Sequence, residues 1–183
     1  MPVREVLELY SKEQIKKASR IKAIFFDVDG VLTNGGIAYD DTGKEFKQFN
    51  VKDGYIISHL KKAGIIVGII SGRESATVTK RAAELKLDFC HQGIIDKKAT
   101  FRKLVDFHKI KTKNVAYIGD DINDLGVFME CGLSACPADA IHYVRSRVEI
   151  VTRAKGGEGA LRELADLVLA STDVLDKIIK ENS

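Results

Sequence analysis

A chain of 183 residues suits one domain: it can bury a real core and has little left over for a second. Hydrophobic residues at 45% and charged residues at 30% exclude extended disorder, and a net charge of +3 from 29 basic and 26 acidic residues is too balanced for nucleic-acid binding, although it suits a small anionic substrate. The longest apolar run, 65–70, is far too short to cross a bilayer, the charged N-terminus carries no signal-peptide pattern, and Cys90, Cys131 and Cys136 form no CxxC pair, so a cytoplasmic protein with reduced thiols is expected.

In chain order, Val3, Val6, Leu7, Tyr10 and Ile15 recur at helical spacing and predict one amphipathic helix over about 3–19. Residues 21–26 form a β-prone apolar run of the kind buried on both faces of a parallel sheet, and the run ends at Asp27. Two strand-like pieces, 36–39 and 44–49, flank the turn-rich Asp40-Asp41-Thr42-Gly43 and predict a projecting β-hairpin. Strand and helix then alternate: 65–70 and a helix from about 74, 88–90 and a helix from about 97, 114–118 and a helix from about 122, then 133–136 and a short helix near 138. Leu161, Leu164, Ala165 and Val168 add a helical stripe after Gly159, and the tail 172–180 reads as helical. The pattern predicts a doubly wound, mostly parallel α/β sheet over 21–183, preceded by a helical extension over 1–20.

Ligands of open α/β sheets bind beyond the carboxyl ends of the strands. Those ends are polar here: Asp27-Val28-Asp29-Gly30, Ser71-Gly72-Arg73, Asp96-Lys97, and Gly119-Asp120-Asp121-Ile122-Asn123-Asp124. Acids gathered at buried strand ends repel each other and lose solvation, and a divalent cation removes the conflict. Hard oxygen ligands select Mg²⁺, with carboxylates from Asp27 and Asp120 and the backbone carbonyl of Asp29 as ligands. The same inventory meets the needs of phosphoryl transfer. Asp27 can attack phosphorus, Asp29 can serve as acid and base, Ser71 can hydrogen-bond a phosphate oxygen, and Lys97 can neutralise one. Asp121 and Asp124 would orient metal-bound waters and Lys97, while Gly30, Gly72 and Asn123 lie where substrate would touch them. Arg73 suits either a carboxylate partner or the substrate. The segment Lys155-Gly156-Gly157-Glu158-Gly159 is either a turn before a helix or an anion site made by backbone amides; we favour Gly156 and Gly157 as substrate contacts.

Each motif alone has a plainer reading as a turn, a helix cap or a solvated lysine. Taken together, DxDG, Ser-Gly, Lys and GDDxxD, each at a strand end and in this order, resemble the four motifs of the haloacid dehalogenase superfamily. The resemblance makes Asp27 the nucleophile, Asp29 the acid/base, Ser71 the second-motif hydroxyl, Lys97 the third-motif lysine and Asp120 the metal ligand. The intervals between the motifs leave no room for an inserted lid domain. The stretches 35–39 and 49–54 and the later KGGEGALRE resemble the capless 3-deoxy-D-manno-octulosonate (KDO) 8-phosphate phosphatases, which act in lipopolysaccharide precursor synthesis. That resemblance implies a homotetramer assembled through the hairpins, Mg²⁺ as cofactor and an aspartyl-phosphate intermediate. Relatives acting on nine-carbon, sialic-acid-type 9-phosphates are the nearest alternative, and Arg73 after Ser-Gly resembles the eight-carbon enzymes. A module that binds Mg²⁺ and phosphate without catalysis is the alternative of a different class, against which the intact Asp27 and Asp29 argue.

Overall fold

The computed structural model describes residues 2–182. From the N-terminus the chain runs α1 (Pro2–Leu7), α2 (Lys12–Ala18), β1 (Ala23–Phe26), β2 (Ala38–Tyr39), β3 (Glu45–Phe46) and α3 (Val51–Lys62). It continues through β4 (Ile66–Ile70), α4 (Ala76–Glu84), β5 (Phe89–His91), α5 (Lys97–Phe107), β6 (Val115–Ile118) and α6 (Leu125–Phe128). The last elements are β7 (Leu133–Cys136), α7 (His142–Arg145), β8 (Ile150–Val151), α8 (Ala160–Ala170) and α9 (Val174–Glu181).

Six strands form one sheet in the order β5-β4-β1-β6-β7-β8, and every pairing in it is parallel. Strands of this kind are buried on both faces, which is why β1 is apolar at every position. The period of two still operates inside that run. Ile24 and Phe26 join one core with Ile56, Leu60, Val67, Leu161 and Leu164, whereas Ala23 and Phe25 join a second core with Phe101, Leu104, Val127 and Val144. Helices α3 and α8 therefore cover one face, and α5, α6 and α7 the other. The chain leaves β1 for β4 on one side and later returns to β6 on the other, so the order reverses at β1 and opens a crevice beyond its carboxyl end.

Three local features differ from the sequence expectation. The N-terminal segment is two helices, because Ser11 starts a new one: its hydroxyl accepts from the Gln14 N–H, and the Gln14 side chain accepts in return from the Ser11 N–H. Apolar periodicity carries through this break and cannot register it. Residues 138–141 do not form the expected helix; α7 starts at His142 instead, and the two-residue strand β8, too short for a periodic signal, follows it. The hairpin pairs only Ala38 with Phe46 and Tyr39 with Glu45, with its turn held by Asp40 Oδ1, which accepts from the Thr42 and Lys44 N–H groups at 3.0 and 2.8 Å.

The N-terminal helices dock on the sheet domain. Val3 and Ala18 belong to the first core, and Gln14 Nε2 donates to the Glu149 carbonyl at 2.6 Å. At the other end of that core, Asp53 of α3 does the work of a missing cap on α8. The α8 N-cap is Gly159, which has no side chain to offer, and Asp53 Oδ1 accepts from the Arg162 N–H at 2.7 Å. Asp53 Oδ2 is buried without a hydrogen-bond partner among the described residues.

Burial pushes the Asp53 carboxyl up to about 6, against the Arg162 N–H bond and the nearby guanidinium, which favour the charge. The folded-state pKa thus lies above the unfolded one, so the stability this group contributes is complete below about pH 4 and is lost as pH rises through about 6. Asp53→Asn keeps an oxygen for Arg162 and removes the titration. In urea unfolding the variant should gain on the parent by about 1–3 kcal/mol between about pH 4 and about pH 7.5. Parallel stability profiles would refute the burial cost.

Candidate active site

Asp27 follows β1 directly and is fixed by the sheet itself: its N–H donates to the Ile118 carbonyl at 3.0 Å, one residue beyond the last strand pair. Its carboxylate is nearly buried, with Oδ1 accepting from the Val28 N–H at 2.7 Å and Oδ2 from Lys97 Nζ at 2.5 Å. Lys97 is the first residue of α5, a helix whose start is set by Asp96, which caps it by accepting from the Ala99 N–H at 2.9 Å. The cap turns an otherwise solvent-seeking side chain inward, and the Lys97 side chain is fully buried.

Lys97 Nζ also donates to Asp124 Oδ1 at 2.7 Å, and the buried Tyr117 hydroxyl donates to the same oxygen at 2.6 Å. The other Asp124 oxygen accepts from the Asp120 and Asp121 N–H groups at 3.0 and 3.2 Å. The four acceptor positions of this buried acid are therefore taken by Lys97, Tyr117 and the fourth-motif loop. Asp121 caps the following 3₁₀ turn, accepting from the Ile122 N–H at 2.6 Å.

The carboxylate oxygens of Asp27, Asp120 and Asp124 come within 4.8 Å of one another. Burial, reinforced by the charges of Asp27 and Asp124, pushes Asp120 up to about 8. Burial also raises Asp27, to about 6, because the attraction of Lys97 does not fully offset desolvation and the Asp124 charge. Lys97, pulled down by burial, stands above its ordinary value because Asp27 and Asp124 outweigh that cost. Three acids facing one ammonium leave an excess of negative charge that a divalent cation would neutralise. With Asp124 fully committed, Asp27 and Asp120 are the acids able to hold it, and all-oxygen donors suit a hard ion such as Mg²⁺. Gly30 is what permits the approach: it sits at φ +78°, and a Cβ there would lie 2.0 Å from Asp120 Oδ2.

Asp27, Asp29, Asp120 and Asp121 line one cavity of about 250 Å³ together with Ser71, Gly72, Arg73 and Asn123. Residues from three of the four sequence motifs thus line one cavity, and the third-motif Lys97 reaches it only through its contact with Asp27. A larger groove of about 730 Å³ between α3 and α4 contains none of the motif acids. Lys97 does not line the cavity; its ammonium is held by the carboxylates of Asp27 and Asp124.

Gly156 and Gly157 do not line this cavity. Their amides are already used, Gly156 N–H on Asp139 Oδ1 and Gly157 N–H on the Val31 carbonyl, both at 2.9 Å. A Cβ on Gly156 would meet the Gly30 carbonyl at 2.0 Å, so these glycines are the floor against which the first-motif loop packs.

Two hairpin residues that the motifs do not include also reach the site. Lys47 pairs with Asp29 and Glu45 pairs with Arg73 at 3.0 Å; Gly35, from the same connection, lines the cavity. Tyr117 is a further residue outside the motif reading. Its position, three residues before Asp120 in an apolar strand, is the one local hint that its hydroxyl points to the acids.

Comparison with known proteins agrees with this geometry. Residues 88–164 match a family model described as haloacid dehalogenase-like hydrolase. The 3-deoxy-D-manno-octulosonate 8-phosphate phosphatase of Escherichia coli K12 is 41% identical over 167 residues, which is 91% of this chain and 89% of the relative. The crystal structure of the Yersinia pestis phosphatase of the same name is 39% identical, with a TM-score of 0.89 over 90% of this chain and 89% of that one. The Moraxella catarrhalis phosphatase, solved in complex with magnesium ion, phosphate ion and KDO, is 37% identical, with a TM-score of 0.92 over 95% of this chain and all of that one (100%). With the strand-end acids converging as they do and the likeness running over nearly the whole length, the chain belongs to the haloacid dehalogenase-like hydrolases and, among them, to the 3-deoxy-D-manno-octulosonate 8-phosphate phosphatase family.

Proposed function

We propose that the protein is a phosphoric monoester hydrolase that converts KDO 8-phosphate to KDO and inorganic phosphate in lipopolysaccharide precursor synthesis. The observation that carries the reading is the placement of Asp27: a carboxylate held at a strand end by Lys97 and Val28, facing Asp120 across a small polar cavity. Family membership supplies the substrate class, and Arg73 at the cavity rim supplies a guanidinium for the sugar acid's carboxylate.

In the first half-reaction an Asp27 carboxylate oxygen attacks phosphorus and the bond to the sugar oxygen breaks. That oxygen keeps the electron pair and takes the proton of the Asp29 carboxyl, leaving an aspartyl phosphate. In the second, Asp29 takes a proton from water, the water oxygen attacks phosphorus, and Asp27 departs as a carboxylate with inorganic phosphate released. Ser71 and the backbone around Gly72 orient the phosphoryl oxygens, Asn123 borders the same space, and Lys97 keeps Asp27 ionised and aimed. Asp27, Asp120 and the Asp29 backbone carbonyl would hold Mg²⁺, which when bound neutralises the charge of carboxylate and phosphate so that two anions can approach.

We read residues 1–20 as a helical extension on a phosphatase domain of 21–183, working in the cytoplasm; no described helix is long and apolar enough to cross a membrane. We also propose a homotetramer joined through the hairpin, supported by the exposure of Ile37, Tyr39 and Phe46 there, each more than half exposed.

Side-by-side turnover of KDO 8-phosphate and a nine-carbon sialic-acid-type 9-phosphate should favour the shorter sugar by at least about tenfold in kcat/KM; preference for the longer one overturns the substrate assignment. Asp27→Asn should lower phosphate release by at least about 10³-fold while the protein stays folded, and chelation of divalent cations should abolish the parent's activity until Mg²⁺ is restored. Activity surviving in the variant removes the nucleophile, and activity surviving chelation removes the cation. Light scattering on the parent should give four times the monomer mass, and replacing Ile37 and Phe46 with charged residues should give smaller species; an unchanged mass would remove the hairpin from the interface.

A further inference from the structure

We infer that Lys47 is a positioning residue for the acid/base Asp29, so that the hairpin is part of the catalytic apparatus; this rests on the phosphatase reading above. Lys47 follows β3, outside every motif that carries the chemistry. Its ammonium pairs with Asp29 Oδ1 and lies 3.4 Å from Glu45 Oε1. Arg73 completes the ring, with one terminal nitrogen 3.0 Å from Glu45 Oε1 and the other 3.8 Å from Asp29 Oδ2. Two positive and two negative groups thus alternate, two from the hairpin and two from strand ends.

The two cations of this ring are not equivalent. The Arg73 side chain is 39% exposed and lines the cavity, where substrate can reach it. The Lys47 side chain is 1% exposed and lies outside the cavity, behind Asp29. A lysine shut away from water is tolerated only because both neighbouring carboxylates face it, and its position excludes contact with substrate as its main task. What it does touch is the residue that must move protons.

Asp29 has little else to set its orientation. Apart from Lys47, its Oδ1 has only Thr33 Oγ1, at a marginal 3.5 Å, while the nearest charged neighbour of Oδ2 among the described residues is Arg73. Lys47 therefore holds one oxygen back and leaves Oδ2 as the atom that hands a proton to the leaving sugar oxygen and later takes one from water. Proton transfer from a positioned acid is worth roughly 10²–10⁴-fold, and it demands that the carboxyl stay within hydrogen-bond reach of the departing oxygen. Glu45 has the corresponding relation to Arg73. It is anchored in turn by the Ser75 hydroxyl, and Thr77 Oγ1 donates to its backbone carbonyl at 3.4 Å. Its carboxyl is held below the usual range by the Ser75 hydrogen bond and the neighbouring cations, so it stays an anion and keeps Arg73 in place.

The test exploits the leaving group. A sugar alkoxide needs a proton as it departs, whereas p-nitrophenolate departs without one. Lys47→Met, similar in length and uncharged, is compared with the parent under single-turnover conditions with enzyme in excess, so that only the first half-reaction is read. Release of KDO from its 8-phosphate should slow by about 10²-fold, release of p-nitrophenolate from p-nitrophenyl phosphate by less than about threefold. Lys47→Gln, which can still donate to one carboxylate, is run beside it so that the comparison does not depend on a single variant folding; it should show the same split to a smaller degree. Glu45→Gln should raise KM for the sugar-acid phosphate and leave the ratio of the two single-turnover rates as in the parent. Equal slowing of both esters by Lys47→Met and Lys47→Gln, or slowing of neither, overturns the positioning role. A parent enzyme inactive on KDO 8-phosphate but active on another alkyl phosphate would remove the substrate assignment alone, and the Lys47 ratio would then be read on that ester.

Discussion

Everything at this site depends on one buried ammonium. Lys97 Nζ bridges Asp27 and Asp124, and neither acid has another cation in direct contact among the described residues. Without it, two carboxylates would be shut in at the carboxyl end of a parallel sheet with only neutral hydrogen-bond donors and no positive charge to offset their lost hydration, a cost that favours protonation. With it, Asp27 stays aimed into the cavity, and Asp124 becomes a fixed post from which the backbone of Asp120 and Asp121 hangs. One ammonium stands against Asp27, Asp120 and Asp124, and burial, reinforced by the two neighbouring carboxylates, pushes Asp120 up to about 8, an excess of negative charge that a divalent cation would neutralise.

The fold supplies this arrangement cheaply. Reversal of strand order at β1 puts the ends of β1, β4 and β6 side by side, so residues from distant parts of the chain arrive on neighbouring strands without any long connection. The same economy explains the glycines. Gly30 makes room for Asp120, and Gly156 makes room for Gly30, so the acidic loops nest against each other through backbone and leave side chains free for chemistry. Asn50 and Asp53 at the start of α3 hold the outside of this nest, Asn50 Nδ2 donating to the Gly157 carbonyl at 3.2 Å and Asp53 capping α8.

No lid domain is inserted between the motifs, and the hairpin is the only projecting piece between β1 and β4. Its two short strands do not join the main sheet, yet they are tied to the active-site rim by Glu45 and Lys47, and they present Ile37, Tyr39 and Phe46 outward. The hairpin thus carries both the ion pairs at the rim and exposed apolar side chains of the connection between β1 and β4.

By itself the sequence determined the parts governed by local rules. Apolar runs marked β1, β4, β6 and β7 to within two residues because strands buried on both faces are apolar at nearly every position, and the acids at their ends stood out against that background. Three of the four motifs, supplying Asp27, Asp29, Ser71 and Asp120, line one crevice, and the third lies behind it through Lys97. What only the tertiary structure decided were relations with no local signature. Lys47 meets Asp29 and Asp53 caps a helix more than a hundred residues away, neither of which leaves a mark in spacing or periodicity, while Tyr117, which meets Asp124, leaves only its place near Asp120 in the strand. The packing of Gly156 and Gly157 is a relation of the same kind: a run of glycines permits close approach, and which stretch comes close depends on what the rest of the chain packs there, here the Gly30 loop.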